Sequence, residues 1–409
     1  MTLQEIKEQV KEYYYMEDTS IIDVSLACII ANRLRLGDPV WLTIVGASSG
    51  GKSQILRPLA LTDEKYMHIL DDITENTFLS GGTAKGGGDV SLLSRIGKQG
   101  MLSISDLTVL FSRNAESRNA ILSQFRMLYD GKMTKMVGNK DKALTWEGYL
   151  GVIAGSTPSI YSNMEEVADM GERFMYFRMK PYNEKKASQI ALSRPFGGKL
   201  LDEKLSDLYC DYIQDVVKNN TEYKVELDQK YIEEIIDIAI FAEKIRTINK
   251  IDKFTKDIER IPSTAMPMRT ALQLLNIAKA LFIMRKNEGL EFSDHDMNII
   301  RWLGWSLGNE EKRAVLNILN KQPHAVSSQA IADSVGLSTR VIGSVLQNLA
   351  STKLIERTGD GSSLKWQITD NKIEELISKI NEQDLIIVKE REVTLDENIS
   401  KNDDEDGAF

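Results

Sequence analysis

The run Gly46-Ala47-Ser48-Ser49-Gly50-Gly51-Lys52-Ser53 most narrows what this chain can fold into. It fits GxxxxGK[ST] without a gap. Val40 to Val45 (VWLTIV) precedes it, rich in the β-branched and aromatic residues that a buried parallel strand needs. A helical pattern, Gln54 to Leu61, follows. Strand, glycine loop and helix in that order aim backbone N–H groups at phosphate oxygens, and the helix N-terminus adds its dipole. Gly46, Ala47, Ser48, Ser49, Gly50, Gly51, Lys52, Ser53 and Gln54 are therefore the expected phosphate cradle. Lys52 supplies charge for the β- and γ-phosphates, and Ser53 a hydroxyl for Mg²⁺. The plain alternative is a chance Gly/Ser turn.

Two more strands end in polar groups. Met101 to Ser105 is a short apolar strand closed by Asp106, where such a sheet presents a carboxylate to Mg²⁺ or to the attacking water. Ser105-Asp106 stands where an acidic pair is usual, and the sequence leaves open whether Asp106 holds the metal, polarises the water or only caps a turn. Gly151 to Ser156 leads to Thr157-Pro158, and the Thr157 hydroxyl is in position to report on a γ-phosphate. A strand terminus without nucleotide contact is the other reading.

Composition excludes several classes. Two cysteines, Cys28 and Cys210, make neither a disulfide scaffold nor a thiolate zinc site, and His68, His295 and His324 are scattered. The net charge is −9, but residues 370–409 carry 13 acidic and 5 basic side chains, so the body is nearly neutral. A low isoelectric point therefore does not argue against nucleic acid, because local basic patches decide that. The first twenty residues have no signal-peptide core, and Ile21 to Ile30 is too short and too interrupted to span a bilayer. A cytoplasmic protein without membrane contact is expected.

The pattern divides the chain. Residues 1–38 read as an N-terminal helical segment of two helices, broken at Glu17-Asp18-Thr19. Over 39–183 strands and helices alternate, which predicts an α/β core with a parallel sheet. Over 184–308 strand signals vanish and amphipathic helices dominate, such as Gln229 to Thr247 and Met268 to Met284. Residues 309–370 form a compact unit: Ser327 to Val335, Gly336-Leu337, then Ser338 to Leu349 read as helix-turn-helix, and Leu354 to Ile368 as a strand–turn–strand wing. The remainder, 371–409, holds one more helix (Ile373 to Ile380), a strand-like Leu385 to Val388, and an acidic tail.

In order, these pieces are the phosphate loop (DPVWLTIVGASSGGKS), the acidic strand (SISDLT), a helix, a hairpin and a sensor strand (LSQFRMLYDGKMTKMVGNKDKALTWEGYLGVIAGSTP), then MGERFMYFRM. The order resembles the AAA+ ATPases of the clade with a β-hairpin before the sensor strand. It looks most like the minichromosome-maintenance helicases and their shorter relatives in phages and mobile elements. The resemblance covers about residues 38–285 together with the C-terminal unit. It implies an α/β P-loop AAA+ core, a helical lid and a C-terminal winged-helix domain, with ATP and Mg²⁺ as ligands. Lys52, Asp106, Thr157, Arg173 and Arg269 would be catalytic, and Ser53 and Asp106 would hold the metal. Arg173, in a G-x-R-F context, looks like the arginine finger that reaches a neighbouring subunit's site. Arg269 looks like the second sensor at the start of a lid helix. A surface ion pair is the bland reading of either arginine. Only 45 residues precede Gly46, so the family's large N-terminal DNA-binding collar is not matched. Ring loading or origin recognition would then fall to another protein or to the C-terminal unit.

The resemblance also suggests DNA contacts. The hairpin from Asp130 to Tyr149 carries Lys135, Lys140 and Lys142, which in a ring would face the pore and follow backbone phosphates. A lysine-guarded hairpin edge is the alternative. Ser80 to Gly88, with Lys85 at its centre, reads as a second pore loop or a plain linker. Arg340 lies near the start of the recognition helix. The expected function is an ATP-hydrolysing DNA helicase or translocase forming a homo-oligomer, a hexamer, on single-stranded and forked DNA. It would act in replication of a phage or mobile element, with replication proteins recruited through the winged helix or the acidic tail. The rivals are a helicase loader or DNA-remodelling ATPase that does not unwind, and a nucleotide-gated winged-helix transcriptional regulator.

Overall fold

The computed structural model describes residues 1–48, 50–80, 91–136, 143–163, 173–180, 183–193, 198–221, 224–248, 265–359 and 364–380. Ser49, Gly81 to Gly88 with Lys85, Lys140, Lys142, Gly171-Glu172, the tip of the expected wing at 360–363, Leu385 to Val388 and the acidic tail lie outside the described residues. Two compact units divide the chain. The first comprises residues 1–248 and 265–307, so the sheet and the helices of 184–307 share one unit, and the described part of the second begins at Gly308.

In the first unit, α1 (Leu3–Tyr13) starts at a capping box between Thr2 and Glu5. Helix α2 (Ser20–Leu34) is buried from Ile21 to Asn32, so its run of apolar residues forms a core helix. It ends against the sheet through Asn32. That buried amide donates to Cys28 O (2.8 Å) and Val40 O (2.9 Å) and accepts from Val40 N–H (3.0 Å). These bonds satisfy backbone groups at the entry to β1 (Trp41–Val45), which is buried at every position.

The chain continues through α3 (Lys52–Ala60), β2 (Met67–Leu70), α4 (Leu92–Ile96), β3 (Gln99–Ile104), a 3-10 turn at Leu107–Ser112 and α5 (Ala115–Tyr129). A two-stranded hairpin follows, β4 (Lys132–Lys135) antiparallel to β5 (Leu144–Glu147), and then β6 (Tyr149–Ser156) and β7 (Phe174–Arg178). Strands β2, β3, β6, β1 and β7 form one parallel sheet in that order. Parallel pairing requires crossover connections, and α3, α4 and α5 lie in those from β1 to β2, β2 to β3 and β3 to β6. Trp41 anchors the core: its ring meets Phe125, Tyr129 and Phe174, and Nε1 donates to Leu150 O (2.8 Å).

Helices α6 (Glu184–Ser193), α7 (Gly198–Asn219), α8 (Gln229–Arg246), α9 (Met268–Asn287) and α10 (Asp294–Ser306) follow among the described residues of the unit. They cover the strands and helices before them: α7 packs on α3, α9 on α2, and α10 on β7. A buried charge network ties four of the helices together. Asp23 pairs with Lys7 (2.5 Å) and Arg285 (2.8 Å), and Arg285 pairs with Asp296 (2.8 Å). The carboxylates raise the Arg285 pKa against the effect of burial.

The second unit contains α11 (Glu310–Asn320), β8 (Val326–Ser327), α12 (Ser328–Val335), α13 (Thr339–Ser351), β9 (Ile355–Thr358) and β10 (Lys365–Ile368), with helical backbone over 371–380. Its three strands form an antiparallel sheet in the order β8, β10, β9. Gly336 (φ 75°) ends α12, and Ser338 Oγ accepts from Val341 N–H (3.4 Å) to start α13.

Candidate nucleotide site

In a parallel sheet, ligands gather at the carboxyl ends of the strands. Here β3, β6 and β1 are neighbours, so the segments leaving them emerge side by side. The loop after β1 is tied to β6 by Gly46 N–H donating to Ser156 O (3.1 Å). Gly50 N–H turns back to Ala47 O (3.0 Å), and Gly51 caps α3 at φ 87°, a conformation that costs a side-chain-bearing residue about 1 kcal/mol or more. Lys52 and Ser53 then occupy the first turn of α3. Lys52 Nζ donates to Gly46 O (2.8 Å) and Ala47 O (2.7 Å), closing over the loop. Burial lowers its pKa, and the charge of Asp106 opposes that shift.

Asp106 and Thr157 meet through a residue the sequence reading did not single out. Asp106 Oδ1 accepts from both the backbone N–H (2.8 Å) and the hydroxyl of Thr108. Thr108 Oγ1 in turn accepts from Thr157 N–H (3.4 Å). The Thr157 hydroxyl is 2.7 Å from Ser159 Oγ. Asp106 thus does cap the 3-10 turn, and the Thr108 hydroxyl links it to Thr157, just past the end of β6. The signal was present in Asp106-Leu107-Thr108, a carboxylate two residues before a hydroxyl, as in an Asx turn.

Ser105 is also fixed. Its Oγ donates to Asp71 Oδ1 (2.6 Å), at the end of β2, while the adjacent Asp72 pairs with Arg113 (2.5 Å). Asp71, Asp72, Asp106, Leu107 and Arg113 line a shallow recess there. Strand β6 approaches closely, since a Cβ at Gly155 would lie 2.5 Å from Ser105 O.

The two arginines converge elsewhere. Arg173 precedes β7, whose Phe174 pairs with Trp41 at the start of β1, whereas the glycine loop follows Val45. About 13 Å of strand separates those ends. Arg173 is 8% exposed; its Nη2 lies 3.0 Å and 3.2 Å from the Asp130 carboxylate oxygens. Its guanidinium stands 5.4 Å from the Tyr129 ring centre, and that of Arg269, in the first turn of α9, stands 5.5 Å from the same ring. Burial, foremost, raises the Tyr129 pKa. Both arginines therefore occupy the edge of the sheet opposite their own chain's glycine loop, and sequence separation hid their common partner.

Of the expected DNA contacts, Lys135 is engaged within the chain. Its ammonium donates to Glu75 O (2.9 Å), Asn76 Oδ1 (2.8 Å) and Leu79 O (3.1 Å), docking the hairpin on the 75–79 segment. The exposed cross-strand pair Lys132–Glu147 (2.7 Å) guards the hairpin. Arg340, at the second position of α13, is exposed.

No protein-family model matches the chain, and no curated protein matches it. Among the described residues no helix is long and apolar enough to cross a membrane, and no three or more His, Cys, Asp or Glu side chains are grouped to hold a metal. Mg²⁺ in a nucleotide site takes one or two protein oxygens together with phosphate oxygens and water, a donor set that Ser53 and Asp106 fit.

Proposed function

We propose that this chain is an AAA+-type ATP hydrolase that forms a ring and moves along DNA, with the second unit a winged-helix domain. The observation that carries the reading is the adjacency of β3, β6 and β1, which brings Asp106, Thr157 and the Lys52 loop to one edge of the sheet. In this reading Lys52 exchanges its two loop carbonyls for β- and γ-phosphate oxygens. The backbone N–H groups and the α3 dipole take the rest of the phosphate charge. Ser53 and Asp106 would hold Mg²⁺, which neutralises charge developing on the phosphates. Asp106 and Thr157, joined through Thr108, orient the water that attacks the γ-phosphate.

Arg173 and Arg269 belong, in this proposal, to the neighbouring subunit's reaction. Their common position at the opposite sheet edge supports that assignment, since neither lies beside its own glycine loop. Arg173 would exchange Asp130 for a γ-phosphate oxygen when an adjoining site presents one. Nucleotide-driven motion would be passed to the hairpin bearing Lys140 and Lys142, and to Lys85, as contacts to single-stranded DNA. Arg340 would contact duplex DNA. A cytoplasmic hexamer serving replication of a phage or mobile element follows from the resemblance.

Forked-duplex strand release coupled to ATP turnover tests the reading, with Lys52→Ala as the inactive control. Turnover without strand release identifies a loader or remodelling ATPase. A specific observation favours one further reading: Ser105 in place of an acidic residue suits a nucleotide-gated regulator that turns over slowly. That reading requires sequence-specific duplex binding through α13 and negligible hydrolysis.

A further inference from the structure

We infer that Asp71 is a positioning residue of the nucleotide site, acting through Ser105 to supply the second acidic function that the Ser105-Asp106 sequence omits. The inference rests on the nucleotide reading above and concerns the Mg²⁺ side of that site.

The argument starts from the hydroxyl. Ser105 has a single O–H, and it is given to Asp71 Oδ1 at 2.6 Å. A serine oxygen whose proton is so committed offers only lone pairs to its other neighbours. It therefore behaves as an acceptor, and the carboxylate behind it strengthens that character. Hydrated Mg²⁺ presents water protons, which need acceptors of this kind. The location agrees. Ser105 directly follows β3, its carbonyl is pressed against Gly155 of β6, and the next β6 residue, Ser156, accepts from Gly46 of the glycine loop.

The neighbouring charges sort themselves in the same sense. Asp72 is paired with Arg113, whereas Asp71 is directed to Ser105. Asp106 is held by Thr108 on the β6 side. Two carboxylates, Asp71 and Asp106, thus serve adjacent residues at the end of β3, one directly and one through a hydroxyl. An acidic pair would place two carboxylates on consecutive residues of one strand. Here one has moved to the end of the neighbouring strand β2, with serine bridging the gap. Sequence inspection misses it because Asp71 and Ser105 are brought together only by β2–β3 pairing.

The test is a titration of Mg²⁺ against the protein bound to a fluorescent ADP, alongside ADP affinity in excess EDTA. Asp71→Asn and Ser105→Ala should each weaken Mg²⁺ affinity about 10-fold. The double variant should be no worse than either alone, because the two residues act as one unit. Ser105→Asp combined with Asp71→Asn should recover Mg²⁺ affinity to within about 3-fold of wild type, by returning the carboxylate to β3. ADP affinity in EDTA should stay unchanged throughout, which also shows that the variants are folded. Wild-type Mg²⁺ affinity in Asp71→Asn, or additive losses in the double variant, would overturn the inference while leaving the nucleotide reading intact. A wild-type chain that binds no ADP with or without Mg²⁺ would overturn both.

Discussion

Single atoms decide how the candidate site is connected. The Thr108 hydroxyl bridges the Asp106 carboxylate and the Thr157 N–H, so two strand ends are coupled through one oxygen. Thr108→Val keeps the shape and removes the bridge. It should lower ATP turnover about 10- to 100-fold while nucleotide affinity changes less than about 3-fold, and Thr108→Ser should restore most of the rate. Steady-state kinetics with a fluorescent-nucleotide titration check this, and equal losses in rate and affinity would count against the bridge. The glycine loop was readable because its chemistry lies within eight consecutive residues. Thr108 meets Asp106 locally, but its bond to Thr157, like that between Ser105 and Asp71, depends on which strands are neighbours. Tyr129 was hidden for the same reason: it gathers two arginines that are nearly 100 residues apart in sequence.

Elements are held by a few buried polar contacts that periodicity does not reveal. The helices read over 1–38 and over 229–247 and 268–284 are present, as are the hairpin and the helix-turn-helix spacing of 327–349. Invisible in the pattern was the charge network of Lys7, Asp23, Arg285 and Asp296. Asp23→Ala leaves Lys7 and Arg285 short of a buried counter-charge and should cost about 3–5 kcal/mol in urea unfolding. Little change would mean that the four helices are secured by apolar packing alone. Lys135 has a similar part in the hairpin. Lys135→Met should lower the thermal midpoint, at a cost of about 0.5–1.5 kcal/mol, because the hairpin loses its hydrogen bonds to the 75–79 segment while water reaches the exposed acceptors. In the second unit, burial pushes the Lys312 ammonium down to about 7, against the opposing charge of Glu311. Between that value and the ordinary lysine value the unfolded chain binds the proton and the folded chain does not. Stability should therefore rise with pH from about 7 towards 10, by up to about 1.4 kcal/mol per pH unit. Lys312→Met should flatten the slope, as urea midpoints at pH 7 and pH 9 will show.

At the scale of the whole molecule, the proposed shared site draws on opposite edges of the parallel sheet. One carries Lys52, Asp106 and Thr157, and the other carries Arg173 and Arg269 beside Tyr129. Head-to-tail association brings unlike edges together and closes into a ring when the rotation permits. Mixing two variants tests that claim most directly. In the proposed site Lys52→Ala removes the lysine that would meet the phosphates and Arg173→Ala the guanidinium that would reach across, so each alone should hydrolyse almost no ATP. Mixed under conditions that exchange subunits, they should regain turnover, because some interfaces then join an intact Lys52 to an intact Arg173. Turnover by Arg173→Ala alone at the wild-type rate, or a mixture as inactive as its components, would contradict the shared site.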